Sequence, residues 1–265
     1  MLDCEFMKYE DYKEIYFQLR NPNDVDALAA KTGLDPELLF VIYSQRTVRD
    51  ATRRFYIVKK DMKRYAKEWR GGVPMAKLAR MLNFPPVLFG LMLAAEIDLP
   101  RKQYWKYIRE PDTCHDKRLR KELMQLSDDD LIYSPKGAQI QTERGLWGEK
   151  KLQDWLDRRE LTYRTEADLR ATHKKTPDCL LDKPIQINGT KIHWIESKAS
   201  FGDDIELRKN VKKQLLPYTE LFGTGAVVYW FGYVDGIAPP EGIVLLDGTH
   251  FDECPEDEGH RPSGP

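Results

Sequence analysis

The sequence predicts two folds in one chain: an all-α, helix-turn-helix-type N-terminal domain and an α/β C-terminal domain. Three observations carry this reading. Apolar residues recur only at helical spacing up to about Gln125. The rhythm breaks between Gln125 and Glu143, at Ser127-Asp128-Asp129-Asp130 and Ser134-Pro135-Lys136-Gly137. After Gly145 a helix gives way to β-rich runs around Asn188-Gly189, the strongest short signal for a hairpin. We therefore divide the chain into a helical domain at 1–125, a linker at 126–144, an α/β domain at 145–250 and an acidic tail at 251–265. The tail holds five acids between Asp252 and Glu258 and is expected to be disordered.

In the helical half, Val25, Leu28 and Ala29 precede Thr32-Gly33-Leu34, and Leu38, Leu39 and Ile42 follow: helix, glycine turn, helix. Val48, Ala51, Phe55, Val58, Met62, Tyr65 and Trp69 alternate spacings of three and four, one apolar stripe along a long helix. Gly71-Gly72 stops it and Pro74 opens the next. Met75 to Leu82 and Val87 to Met92, parted by Asn83-Phe84-Pro85-Pro86, form a second candidate helix-turn-helix. Packed helix pairs of no special function give the same pattern.

Between Arg46 and Arg80 stand twelve basic and three acidic residues, whereas from Gly202 onward there are five basic and twelve acidic. The near-neutral total therefore hides a concentrated basic face, the footprint of a nucleic-acid binder or a solvated helix surface. Arg49, Arg53, Arg54, Lys59, Lys60, Lys63 and Lys67 are its candidate phosphate contacts. No stretch approaches the ~20 apolar residues of a membrane span, and the start lacks the features of a signal peptide. Four scattered cysteines without a C-x-x-C pair argue against a zinc site or disulfide framework. An intracellular protein is expected, cytoplasmic and, if eukaryotic, nuclear as well.

The α/β half carries the chemistry. Residues 148–160 read as a helix, with Leu152, Trp155 and Leu156 on one face and Glu149 among them. A strand starting near Asp178, then Ile185 to Ile187, the Asn-Gly turn and Lys191 to Ile195 follow. Alternation puts Ile192, Trp194, Glu196 and Lys198 on one face and Ser197 on the other. Asp178 reaches the same edge from the neighbouring strand. Two carboxylates and an ammonium there are costly unless a hard divalent cation lies between them. Phosphodiester hydrolysis needs such a Lewis acid and an activated water. Asp178 and Glu196, helped by a backbone carbonyl near Ser197, are the expected metal ligands. Lys198 is expected to position or deprotonate the attacking water. The bare P-D…E-x-K pattern also arises as a structural Glu-Lys pair.

A helix is expected from about Asp204 to Phe222, capped by Asp203 or Asp204, ended by Gly223 and kinked by Pro217. Gln214 and Tyr218 share one of its faces. Arg208, Lys209, Lys212 and Lys213 give it a basic surface for a phosphate backbone. Gly225 to Val234 reads as a buried strand and Gly242 to Leu246 as a last one.

With these residues the C-terminal half resembles the restriction-endonuclease-like superfamily, PD-(D/E)xK nucleases that bind Mg²⁺ or Mn²⁺. The resemblance implies metal binding by Asp178 and Glu196, a catalytic role for Lys198, and a further acid at Glu149. Gln214 and Tyr218 match the Q-x-x-x-Y motif of its RecB-related exonuclease branch. Thr176-Pro177-Asp178, His193 through Asp203 and Val228 through Gly232 are very similar to the codanin-interacting nuclease, or TPD, family, over roughly residues 145–247. That resemblance implies a DNA-directed nuclease with helix-turn-helix units, and a codanin partner if the source is an animal. Two other readings stay open: a catalytically silent nuclease-fold scaffold for a protein partner, and a DNA-binding regulator. DNA versus RNA, and endo- versus exonuclease action, are undecided by sequence.

Overall fold

The computed structural model describes residues 7–252, so the tail beyond Asp252 lies outside the described residues. Helices come first: α1 (Tyr9–Gln18), α2 (Asn23–Thr32), α3 (Pro36–Lys60), α4 (Met62–Arg70), α5 (Met75–Met81), α6 (Pro86–Glu96), α7 (Arg101–Arg109), α8 (Lys117–Asp129) and α9 (Pro135–Arg158). Then follow β1 (Tyr163–Thr165), α10 (Glu166–Leu169), β2 (Cys179–Ile187), β3 (Thr190–Lys198), α11 (Asp204–Asn210), a π-helical turn (Val211–Leu215), α12 (Leu216–Phe222), β4 (Gly225–Tyr229) and β5 (Ile243–Asp247).

The chain forms two units, which do not coincide with the expected division. One gathers residues 20–25 and 42–143; the other gathers 7–19, 26–41 and 144–252. Segments of the N-terminal half thus belong to the unit that holds the sheet. Residues 126–144, expected as a linker, lie largely within α8 and α9. Ser134-Pro135 is a helix start: the Ser134 Oγ accepts the Gly137 N–H at 3.1 Å, and Pro135 takes the first turn, where its missing N–H costs nothing. The stripe from Val48 to Trp69 spans two helices, for α3 begins at Pro36 and a break at Asp61 separates it from α4.

The helical unit is built around Val58, Met62, Tyr65, Met75, Leu78, Phe89, Leu93, Tyr104, Leu123 and Leu126. Helices α5 and α6 meet at 117°, within the range of helix-turn-helix pairs. Gly90 is required in α6, because a Cβ there would lie 2.5 Å from Leu126 and 2.7 Å from the Tyr104 hydroxyl. No single helix among the described residues is long and apolar enough to cross a membrane.

The sheet runs β1-β2-β3-β4-β5, antiparallel through β3 and parallel from β3 to β5. Asn188 (φ 49°) and Gly189 (φ 73°) make the expected β2–β3 turn, joining Ile187 to Thr190. The two runs read before that turn form one strand, β2. Its register shifts between Leu180 and Ile185, where Pro184 has no N–H to offer the ladder. That irregularity also breaks the expected alternation on β3: Ile192 packs in the same layer as Ile195, and Trp194 packs in the opposite one. β1 was not foreseen, and β4 stops at Tyr229, short of the expected Val234.

Each face of the sheet is covered within this unit. Leu152, Trp155 and Leu156 of α9 pack with Cys179, Ile195, Ala226 and Val228. Leu207, Leu215 and Tyr218 pack with Trp194, Val227, Tyr229 and Ile243. Gly225 permits the second layer, since a Cβ there would lie 2.0 Å from the Trp194 ring.

Candidate functional site

Glu196, 1% exposed on the central strand β3, organises the site. Asp178 directly precedes β2. The two carboxylates clasp each other's backbone: the Asp178 N–H donates to Glu196 Oε2 at 3.2 Å, and the Ser197 N–H donates to Asp178 Oδ2 at 2.8 Å. Glu196 Oε1 also accepts the Lys198 ammonium at 2.5 Å and the Gln214 amide at 3.0 Å. Asp178, Glu196, Lys198 and Gln214, each expected from sequence, thus meet at one place. Tyr218 joins them, its hydroxyl accepting from Gln214 at 3.4 Å and its ring standing edge-on to Trp194.

Gln214 reaches Glu196 from the π-helical turn, a local widening often found at functional sites. Pro217 explains what the sequence left as a kink. Lacking an N–H, it leaves the Lys213 carbonyl without its helical donor, and the Lys175 ammonium takes that carbonyl at 3.0 Å. The loop entering Asp178 is thereby tied to the helix that carries Gln214. The Asp203 side chain caps α11 through the Glu206 N–H at 2.8 Å, and Gly223 (φ 84°) ends α12, both as expected.

Burial pushes Glu196 up to about 7, and the Asp178 charge adds to the rise against the opposing Lys198. Asp178 is raised too, by burial first, with Lys198 and the Ser197 N–H opposing. For Lys198, burial favours the neutral amine, yet Glu196 and Asp178 outweigh it and hold the group protonated.

Glu149 is half-buried on α9 and is raised by burial, then by Asp178 and Glu166, with Lys198 opposing. It therefore lies in the field of the site. Glu166, first residue of α10, adds negative potential at Glu149, Asp178 and Tyr218. The sequence reading missed it because β1, which positions α10, carries no clear strand signal. Ser197 contributes its N–H to Asp178, while its hydroxyl faces the other layer and accepts the Trp230 indole N–H at 2.8 Å. Among the described residues no three His, Cys, Asp or Glu side chains gather as metal ligands, so Glu149 does not join Asp178 and Glu196 in such a group.

Of the basic candidates, Arg208 pairs with Asp204 at 3.8 Å and Lys209 with Glu206 at 2.7 Å, while Lys212 and Lys213 are exposed on the π turn. All four belong to the unit that carries the site. Arg49, Arg53, Arg54, Lys59, Lys60, Lys63 and Lys67 belong to the helical unit. There Arg53 pairs with Asp50, Arg54 donates to the Asn83 carbonyl, and the four lysines are exposed.

Fold and site define an α/β protein with a mixed five-stranded sheet and a cluster in which a buried carboxylate, Glu196, meets half-buried Asp178, Lys198 and Gln214. The chain belongs to the TPD family, whose model, described as "Protein of unknown function TPD sequence-motif", matches residues 115–249. It is 36% identical over 188 residues to CDAN1-interacting nuclease 1 of Danio rerio, covering 67% of this chain and 63% of that protein. The human protein of the same name is 37% identical over 128 residues, covering 48% of this chain and 46% of its own length. An uncharacterized protein, L539, of Acanthamoeba polyphaga mimivirus is 33% identical over 105 residues, covering 37% of this chain and 38% of its own. The chain thus spans less than two thirds of these relatives. No solved structure matches it.

Proposed function

We propose that this chain is a metal-dependent nuclease that hydrolyses phosphodiester bonds of DNA, with the helical unit holding the substrate. The observation that carries the reading is the pairing of half-buried Asp178 with buried Glu196, each accepting a backbone N–H from beside the other. Two carboxylates this close, one of them buried, take up a proton or a cation beyond the single Lys198 ammonium, and the raised Glu196 marks that demand. The donor set suits Mg²⁺ or Mn²⁺: hard carboxylate oxygens, and two of them, the number Mg²⁺ commonly takes before completing its shell with water and phosphate. Asp178 and Glu196 would hold the ion, with Glu149 near enough to bear on it electrostatically. When bound, it supplies Lewis acidity at the phosphoryl oxygens and lowers the pKa of a water.

The chain's own groups do the rest. Gln214 and Lys198 share Glu196 Oε1 and fix that carboxylate's orientation. Lys198, held as ammonium, offsets negative charge that builds on the phosphate in the transition state. Lys212 and Lys213 offer the adjacent backbone phosphates a cationic edge, and the lysines of α3 and α4 offer a second. The relatives' name carries the word nuclease, which supports the activity, and it names CDAN1 as a partner. If the source is an animal, we extend that partnership to this chain.

A scaffold reading draws on the short Glu196–Lys198 contact, which neutralises one carboxylate internally. Cleavage decides. Labelled single-stranded, duplex and branched DNA and RNA are incubated with the protein and Mg²⁺, Mn²⁺ or EDTA, beside Asp178→Ala and Lys198→Ala. Cutting that needs the metal and disappears in both variants supports the nuclease. Equal binding by all three proteins without any cutting supports the scaffold.

A further inference from the structure

Helix α9 presents a second feature beside the carboxylates. Trp147, two residues before Glu149, is 47% exposed, and the neighbouring Leu146 is 58% exposed. Trp147 does not hang free. Its ring stands 5.7 Å from Trp230 and 6.1 Å from Phe231, and the Lys151 ammonium lies 5.8 Å from its centre. Behind it, Gly148 admits the sheet so closely that a Cβ would lie 2.6 Å from the Trp230 indole and 3.0 Å from the Ser197 hydroxyl. The Trp230 N–H bonds that hydroxyl, and the Ser197 N–H bonds Asp178. A chain of packed and hydrogen-bonded groups therefore fixes an open indole relative to the two carboxylates. Glu149 and Trp147 flank Gly148 on the helix; Glu149 feels the Asp178 charge, and Trp147 packs by Trp230 and Phe231, which follow β4.

An indole that is half solvated yet rigidly backed has its ordering entropy largely lost already, which suits it to stack a planar partner. Base-aromatic stacking is indifferent to sequence and requires a base free of its duplex neighbours. Lys151, paired with Asp252 at 2.8 Å, places its ammonium by the indole, and Lys150, paired with Asp154 at 2.9 Å, is 75% exposed on the same helix.

Resting on the nuclease reading above, we infer that Trp147 is a stacking platform for an unpaired base of the bound strand, so that the substrate is single-stranded or frayed. Duplex DNA has no free base to offer it. The position sets which strand geometry is taken, and the carboxylates act on what it holds.

The test separates this inference from the reading beneath it. Fluorescein-labelled oligo-dT, an abasic strand of equal length and a blunt duplex are bound by wild type, Trp147→Ala and Trp147→Phe in EDTA, and their cleavage is measured with Mn²⁺. Circular dichroism checks that the variants fold. Stacking is worth about 1–3 kcal/mol per base, so Trp147→Ala should weaken oligo-dT binding about 5- to 150-fold. It should leave the abasic strand unchanged, and Trp147→Phe should retain most of the affinity. Equal binding of oligo-dT by wild type and Trp147→Ala overturns the platform, even if both proteins cut. Trp147-dependent binding without cutting by any protein keeps the platform and removes the nuclease. An equal loss on the abasic strand also overturns it, because phosphates alone then account for the binding.

Discussion

Both units bury carboxylates, and they do it in opposite ways. In the helical unit, Glu122 accepts the Met75 N–H at 2.8 Å and the Trp69 indole at 3.0 Å on one oxygen, and the Arg118 guanidinium at 2.8 Å on the other. Asp130 accepts three backbone N–H groups, from Val87, Ile132 and Tyr133, at 2.8 to 3.0 Å. Each is a lone negative charge ringed by donors from separate segments, and so works as a staple. In the sheet unit, Asp178 and Glu196 face each other and divide a smaller set of donors. Burial raises Asp130 with N–H donors opposing, whereas Glu196 is raised by burial and by a second carboxylate. Glu122 and Asp130 tie separate segments together, whereas Glu196 also feels the charge of a second carboxylate.

The contrast can be broken by mutation. The largest effect expected is on cleavage: Asp178→Ala and Lys198→Ala each lower the rate at saturating substrate by at least about 100-fold. Glu122→Ala leaves the rate per folded molecule unchanged, and single-turnover assays on folded protein compare them. Stability should invert that order. Glu122→Ala and Asp130→Ala each strand buried donors and cost about 3 kcal/mol in denaturant unfolding. Asp178→Ala costs less, because it also relieves repulsion with Glu196.

Gln214→Ala should act at second hand, lowering cation affinity or rate about 10-fold by freeing the Glu196 carboxylate to turn. Gln214→Glu, which adds a third negative charge there, should be worse than alanine. The smallest effect is on pH. Glu196 has an ordinary value of 4.5 and is pushed up to about 7. The folded state then holds a proton that the unfolded state has lost, so metal-free stability falls as pH rises from about 4.5 through 7. Thermal melts in EDTA should show that fall, Glu196→Gln should flatten it, and added Mn²⁺ should restore more stability at pH 8 than at pH 5.

The site was far more legible than the architecture around it. Asp178, Glu196 and Lys198 stood out as a P-D…E-x-K pattern on the two arms of a hairpin signalled by Asn188-Gly189, while the register shift that brings Asp178 beside Glu196 had no signal. Gln214 and Tyr218 stood out because a separation of four shares a helix face. Helix boundaries were harder to read, since Ser134-Pro135 marks a helix start as readily as a loop and only its packing decides. Unit membership was not legible, because residues 26–41 owe their place to tertiary packing that no local pattern records. Glu166 escaped because β1 is three residues long and half-exposed, too short for period-two alternation to show.

In the proposed reading Asp178 and Glu196 form a cation-binding pair, unlike Glu122 and Asp130. Calorimetric titration with Mn²⁺, without nucleic acid, tests it most directly. The wild-type chain and Glu122→Gln should each bind the ion, and Asp178→Asn and Glu196→Gln should each lose it. Silence from the wild type, or the same affinity in all four proteins, would contradict it.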